Sequence, residues 1–153
     1  MRPGSVEDLA DVGELYLRSR HAAFPSVPAP VHSDAQVRAW VRGWDLTSHE
    51  LWLAEETGTP DGPAAARPLG FVLLTPTWVD HLYVDPDHQG HGIGSALVEL
   101  VQALRPDGVG LWVFESNLAA RRFYARHGFV EVERTDGSEN EEHAPDIHLA
   151  WPA

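Results

Sequence analysis

A glycine-rich turn separates an apolar segment from a helical pattern in "YVDPDHQGHGIGSALVELVQAL", residues 83–104. The turn contains three glycines at alternate positions, Gly90, Gly92 and Gly94. The first turn of a helix leaves backbone N–H groups without partners, and the helix dipole adds partial positive charge there. Glycines let an anion approach these donors, and the side chains of Gln89 and Ser95 add further donors. The pattern therefore predicts an anion site suited to phosphate.

Three phosphate-binding motifs compete for this turn. A Walker-type loop needs a lysine before Ser or Thr, and the sequence contains no lysine. The dinucleotide fingerprint G-x-G-x-x-G would begin at Gly90, but Ser95 occupies the position of its third glycine. Its acidic residue, expected about 20 residues further on, is matched only loosely by Glu115. The third motif is Q-x-x-G-x-G, from Gln89 through Gly92 to Gly94.

A second motif lies downstream of the glycine turn, in "NLAARRFYARHGF", residues 117–129. It fits the pattern N-x-x-A-x-x-F-Y-x-x-x-G-F, with Asn117, Ala120, Phe123, Tyr124, Gly128 and Phe129 in register. With both motifs in this order, the sequence resembles the GCN5-related N-acetyltransferase (GNAT) family. The resemblance covers residues 50–152 firmly and the N-terminal helices loosely.

The resemblance implies a single α/β domain over residues 1–153 with the GNAT fold. That fold has a mixed, mostly antiparallel sheet, splayed between its fourth and fifth strands and flanked by about four helices. Residues 1–49 would supply the N-terminal helices on the acceptor side, and residues 50–152 the sheet with the acetyl-CoA site. The family's opening strand is expected to be short or missing, because only Met1 to Pro3 precede the first helical pattern.

Hydrophobic periodicity and capping residues predict the same elements independently. Helices are expected after the N-caps Ser5, Ser33 and Asn117, and from Ile93. The predicted strands are "ELWLAEE", "LGFVLL", "WVDHLYV", "VGLWVFE", "FVEVERT" and "IHLAW", with "TGTPDGPAAARP" as a long hairpin connection. The nearly continuous apolar run "VGLWVFE" predicts a strand buried on both faces.

By resemblance, the glycine turn holds the pyrophosphate of coenzyme A, and the pantetheine arm lies in the gap between the splayed strands. Backbone groups of Leu82 and Val84 would pair with that arm as an added strand does. The N–H of Val84 would face the thioester carbonyl and stabilise the oxyanion. The residues assigned to the coenzyme are Leu82, Tyr83, Val84, Gln89, Gly90, His91, Gly92, Ile93, Gly94, Ser95, Asn117 and Tyr124.

The reaction needs an acid and a base. Tyr124 occupies the position of the family's usual general acid and would protonate the leaving thiolate. An aliphatic amine arrives protonated, with a pKa near 10.4, so a base must remove a proton. Asp80 is favoured because strand alternation places it on the same face as Val84 in the absence of a bulge. The base is left open among Asp80, His81, Glu115, Glu50 and Glu55.

The expected function is transfer of an acetyl group from acetyl-CoA to a primary amine, by direct attack in a ternary complex. A small cationic metabolite or an amine antibiotic ranks first as acceptor, because the formal net charge is −12. A protein N-terminal acetyltransferase and a non-catalytic acyl-CoA sensor are the alternatives. The candidates for the acceptor pocket are Phe24, His32, Trp40, Trp44, Asn140, Glu141 and Glu142.

The composition also bears on partners, cellular location and metal binding. All eleven basic residues are arginine in a strongly acidic chain, which disfavours nucleic acid as a partner. There is no cysteine, no apolar run long enough to span a membrane and no leader pattern, so a cytoplasmic location is expected. No metal site is predicted, because the acidic and histidine residues near the turn divide between a strand, a turn and a helix start. Six tryptophans are consistent with a homodimer surface and equally with core burial.

Overall fold

The structure is a computed structural model that describes residues 1–55 and 67–152. The helices are α1 (Leu9–Ala23), α2 (Asp34–Arg42), α3 (Ile93–Leu104) and α4 (Leu118–Arg126). The strands are β1 (Arg2–Pro3), β2 (Glu50–Glu55), β3 (Pro68–Leu74), β4 (Val79–Val84), β5 (Val109–Phe114), β6 (Val130–Thr135) and β7 (Asp146–Trp151). Short 3₁₀ turns precede α1 at Val6–Asp8 and follow β4 at Pro86–His88.

The strands form two antiparallel sheets that meet at one end. The first has the order β1-β2-β3-β4 and the second the order β5-β7-β6. An isolated parallel bridge between Trp78 and Gly110 joins them, and the N–H of Gly110 donates to the carbonyl of Thr77 at 2.9 Å. The mostly antiparallel sheet, splayed between its fourth and fifth strands, is therefore confirmed.

Each face of the first sheet is covered by a different pair of helices. Side chains of α3 and α4 pack with β4, β5 and β7 in one core, which includes Leu97, Val101, Leu111, Phe129 and Ile147. Side chains of α1 and α2 pack on the opposite face in a second core, which includes Leu15, Val41, Leu53 and Phe71. Strand β4 contributes to both cores, so its side chains reach both sides of the sheet.

Most local expectations are confirmed. Ser33 and Gln36 form a capping box at α2, and Asn117 caps α4 by accepting from the N–H of Ala120 at 3.2 Å. The opening strand is present but only two residues long, and it pairs with β2. Residues 56–66, which include Glu56 of the expected second strand and most of the expected hairpin connection, lie outside the described residues.

One expectation about β5 is wrong. The strand was expected to be buried on both faces, but the side chain of Trp112 is 44% exposed. Trp112 points away from the core that α3 and α4 cover; its ring is parallel to that of Trp78 and makes a tilted contact with the ring of His148. In the part of the chain that the structure describes, no helix is long and apolar enough to cross a bilayer.

Candidate active site

The central feature of the site is the gap between β4 and β5. The two strands touch at the Trp78–Gly110 bridge and belong to different sheets beyond it. Gly110 is required at this junction, because a Cβ there would lie 2.7 Å from Nε2 of His148 and 2.9 Å from the ring of Trp78. The bridge thus fixes the closed end of the gap, and the opposite end, at Val84, leads to the glycine turn.

The backbone of β4 has hydrogen-bonding groups that point into this gap. The N–H of Asp85 donates to the carbonyl of Leu69 on β3 at 2.7 Å. Successive residues of an antiparallel strand direct their backbone groups to opposite sides, so Val84 and Leu82 direct theirs away from β3. The carbonyl of Val84 accepts from Oγ of Ser19 at 3.2 Å instead of from the ladder. These are the two residues that the sequence assigned to the pantetheine arm.

The glycine turn ends at a helix whose first N–H groups have no side-chain cap. Gly90 and Gly92 both have φ of +82°, and a Cβ at either would meet no atom within 4 Å. Gly92 is the N-cap of α3, and with no side chain it cannot cap the first N–H groups of that helix. Glycine is therefore needed at these two positions for backbone conformation, and the helix end stays open to an anion.

Other residues of the turn are held by the protein itself. A Cβ at Gly94 would lie 3.3 Å from the ring of Phe123, so this glycine also allows α3 and α4 to pack closely. Oγ of Ser95 lies 3.1 Å from Nε2 of His127, and Nε2 of Gln89 lies 3.5 Å from the Val84 carbonyl. His91 is exposed and Ile93 is half-buried. The backbone N–H groups are therefore the freer donors of the turn.

Asp85 anchors the turn to α1. Its carboxylate lies 2.8 Å from a guanidinium nitrogen of Arg18 and accepts from the N–H of Asp87 at 3.0 Å. Burial opposes ionisation, but these two donors outweigh it, and the pKa of Asp85 is lowered from its usual range. The turn is thus fixed by an ionised, buried carboxylate.

Tyr124 lies on α4 within the core beside the gap. Its side chain is 7% exposed, and its ring contacts Phe123 and Phe129 with centroids 5.1 and 5.3 Å apart. Burial raises the pKa of Tyr124 above its usual value, so the phenol stays protonated at neutral pH. Among the described residues its hydroxyl has no hydrogen-bond partner. The group is available to donate a proton.

Asp80 lies in an irregularity of β4 that the sequence did not predict. Leu73 on β3 is opposite His81, whereas Leu74 is opposite Val79, so Asp80 is an extra residue in the ladder. Its Oδ2 lies 3.1 Å from Nε2 of His49, in the loop before β2. Because of this bulge, alternation counted from Val84 does not describe where the Asp80 side chain lies.

The other candidate bases differ from Asp80 in their surroundings. Burial is the main reason that the pKa of His81 is lowered to about 4, which makes its ring a weak base at neutral pH. Glu50 forms an ion pair with Arg105 at 2.8 Å, and its pKa is lowered by that guanidinium. Glu55 forms an ion pair with Arg2, and Glu115 is exposed after the end of β5. Asp80 differs from Glu50 and Glu55 in that its carboxylate contacts a histidine and not an arginine.

Aromatic rings line the α1–α2 side of β4. The ring of His81 stacks on Trp44, with an interplanar angle of 9° and centroids 5.1 Å apart. Trp40 contacts both rings edge-on and is 48% exposed. Trp40 and Trp44, both expected at the acceptor pocket, are therefore brought together, next to His81.

The remaining acceptor candidates lie between α1 and the β6–β7 connection. His32 contacts Glu141 at 3.3 Å, and Glu142 lies 3.6 Å from the buried guanidinium of Arg20. Asn140 is used within its own turn, where its side chain bonds twice to Ala144. Phe24 is exposed and makes no aromatic contact within the described residues.

Sequence reasoning missed two residues at this site, His49 and Arg20. Nε of Arg20 is buried without a partner among the described residues, while its Nη1 donates to the Tyr16 hydroxyl at 2.9 Å. Both residues reach β4 from segments far away in sequence, so no local spacing signals them. Over residues 1–55 and 67–152, no group of three or more acidic or histidine side chains is arranged to hold a metal ion.

Comparison with known proteins leads to one family. A family model described as an acetyltransferase (GNAT) domain matches residues 47–131. The peptidyl-lysine N-acetyltransferase YjaB of Salmonella typhimurium is 39% identical over 86 residues, which make up 56% of this chain and 59% of that protein. The Escherichia coli YjaB protein is 34% identical over 130 residues, which make up 75% of this chain and 87% of that protein.

The fold comparison leads to the same family. The solution structure of apo-form YjaB from Escherichia coli matches with a TM-score of 0.75 and 27% identity, over 98% of this chain and 95% of that chain. The family model covers more than half of the sequence and includes the splayed strands, the glycine turn and Tyr124. The chain therefore belongs to the GNAT acetyltransferase family.

Proposed function

We propose that this protein is an N-acetyltransferase that moves an acetyl group from acetyl-CoA to a primary amine. The observation that carries the proposal is the gap between β4 and β5, with the uncapped end of α3 at its open end. An uncapped helix start suits the pyrophosphate, and an unpaired strand edge suits the amide groups of the pantetheine arm. Tyr124 beside this gap supplies a buried, protonated phenol.

In the proposed reaction the neutral amine attacks the thioester carbonyl directly. The N–H of Val84 stabilises the negative charge that develops on the carbonyl oxygen. When the C–S bond breaks, Tyr124 protonates the thiolate, and its proton is replaced by one lost from the new amide nitrogen through water. The chain has no cysteine, so no cysteinyl intermediate takes part.

Asp80 begins the removal of the proton that the amine carries on arrival. An amine with a pKa near 10.4 is about one part in a thousand neutral at pH 7.4, so this step has a large effect on the rate. Glu50 and Glu55 face arginines, and His81 is a weak base. Asp80 contacts a histidine, His49, instead of an arginine, and this difference supports its role.

The proposed acceptor is a cationic primary amine, and two classes of acceptor have support. The relatives named as peptidyl-lysine N-acetyltransferases favour a lysine side chain. The net charge of −12 and the aromatic rings of Trp40 and Trp44 suit any ammonium group, including that of a small metabolite. A lysine side chain is placed first because two relatives support it.

An acceptor panel tests this proposal. The protein is incubated with acetyl-CoA and lysine peptides, peptides with a free α-amine only, or small alkyl diamines. Thiol release gives the rate, and mass spectrometry identifies the acetylated nitrogen. We expect the highest kcat/KM with an ε-amine in a peptide. Preference for the diamines would favour the small-molecule class, and no acetylation of any amine would contradict the proposed activity.

A further inference from the structure

His49 is in contact with Asp80 but belongs to a different part of the chain. Its Nε2 lies 3.1 Å from Oδ2 of Asp80, and its Nδ1 lies 3.2 Å from the carbonyl oxygen of Asp45. Ser48 Oγ is 2.9 Å from the same Nδ1. A carbonyl accepts only, so its bond to Nδ1 favours the tautomer with the proton on Nδ1. That tautomer leaves Nε2 without a proton, 3.1 Å from Oδ2 of Asp80.

We propose that His49 receives the acceptor's proton through Asp80 and passes it to solvent. This inference rests on the proposed acetyl transfer, and His49 acts through Asp80 without touching the acceptor. Because an imidazole is a stronger base than a carboxylate, the His49 ring is the better final holder of the proton.

The proton balance of this step is simple. The ammonium group transfers one proton to the Asp80 carboxylate, which transfers it to Nε2 of His49. The resulting imidazolium faces an ionised carboxylate at 3.1 Å, and this contact stabilises it. His49 then loses the proton to water, since its side chain is 30% exposed and that of Asp80 is 34% exposed. This proton is the one that the overall reaction releases.

The groups around His49 are compatible with this role. On β4, His81 stays neutral near pH 7 because burial lowers its pKa. The Asp45 carboxylate is occupied by the N–H and hydroxyl of Thr47, at 2.9 and 2.6 Å. Glu50, the next residue in the chain, forms its ion pair with Arg105. Asp80 is thus the carboxylate in direct contact with the His49 ring among the described residues.

The pH dependence of kcat/KM in His49→Gln tests the proposal. The wild type deprotonates the ammonium form itself, so its kcat/KM should change little between pH 7.5 and 9.5. In the variant Asp80 has no stronger base to which it can pass the proton, so the reaction depends on neutral amine, whose concentration rises about tenfold per pH unit in this range. We expect its kcat/KM to be about 100-fold lower at pH 7.5 and to approach the wild-type value at pH 9.5. Asp80→Asn should show the same slope.

His21→Gln is the matched control, because Nε2 of His21 also lies close to a carboxylate, 3.0 Å from Oδ1 of Asp34, on the surface of α1. Its profile should match the wild type. A His49→Gln profile within about twofold of the wild type at every pH would overturn the relay. If the wild type acetylates no amine, the proposed function fails and the relay fails with it, whereas ¹⁵N NMR of the His49 ring tests the tautomer that the relay needs without any turnover. A proton on Nδ1 at pH 8 supports it, and a proton on Nε2 overturns it.

Discussion

Replacing Tyr124 with phenylalanine separates catalysis from stability at this site. The ring is 7% exposed and packs edge-on against Phe123 and Phe129, and phenylalanine keeps these contacts. The hydroxyl has no hydrogen-bond partner among the described residues, so its removal leaves no partner group unsatisfied. We therefore expect the free energy of unfolding to change by less than about 1 kcal/mol.

The effect on kcat should be much larger. General acid catalysis contributes about 10²-fold to 10⁴-fold, which corresponds to about 2.7–5.5 kcal/mol in the activation free energy. Burial raises the pKa of Tyr124, so in the wild type the acid stays protonated up to at least pH 9. The defect of the variant should decrease at high pH, where a free thiolate becomes a stable product without protonation.

Steady-state thiol release at saturating acetyl-CoA and amine measures kcat, and calorimetry measures the Kd for acetyl-CoA. The expected result is a loss of kcat of at least about 100-fold with an unchanged Kd and an unchanged midpoint of urea unfolding. A Tyr124→Phe variant with kcat within about threefold of the wild type would refute the assignment of Tyr124 as the acid.

Two further predictions concern His81 and the glycine turn. The fold holds His81 with a pKa of about 4, against about 6.5 when unfolded, so the unfolded chain binds more protons between these values. The resulting stability is complete above pH 6.5 and is lost as the pH falls towards 4. The free energy of unfolding from urea titrations should therefore fall between pH 7 and pH 4.5 by about 2–3 kcal/mol less in His81→Phe than in the wild type. An equal fall in both proteins would contradict this prediction. Gly92→Ala, at φ +82°, should lower the free energy of unfolding by about 1 kcal/mol, and calorimetry should show acetyl-CoA binding weakened about tenfold. Gly128→Ala, at φ +87°, should cost a similar amount without changing that Kd, and an unchanged Kd for Gly92→Ala would argue against a coenzyme at the turn.

The sequence was most informative where structure depends on neighbouring residues. The caps at Ser33 and Asn117 and the periodicity of α3 depend on contacts within four residues, so they could be predicted. The splayed sheet was implied by the resemblance to the GNAT family, which rests on the two motifs. The glycine turn could be placed at the start of α3 because the helical period begins directly after it.

Contacts between distant segments could not be predicted. The bulge at Asp80 depends on how β3 pairs with β4, and no residue type in "WVDHLYV" signals it. The contact of His49 with Asp80 depends on the position of the loop before β2. The exposure of Trp112 follows from the absence of a covering helix on that face within the described residues, whereas an apolar strand sequence suggests burial. These features arise only when the two sheets and the helices pack together.

The proposed activity depends on acetyl-CoA binding in the gap and at the glycine turn. Calorimetric titration with acetyl-CoA tests this binding most directly, with desulfo-coenzyme A and NAD as comparison ligands. We expect micromolar binding of acetyl-CoA and desulfo-coenzyme A, since both carry the pyrophosphate and the pantetheine arm, and no binding of NAD. Binding of NAD with equal affinity, or no binding of either coenzyme A compound, would contradict it.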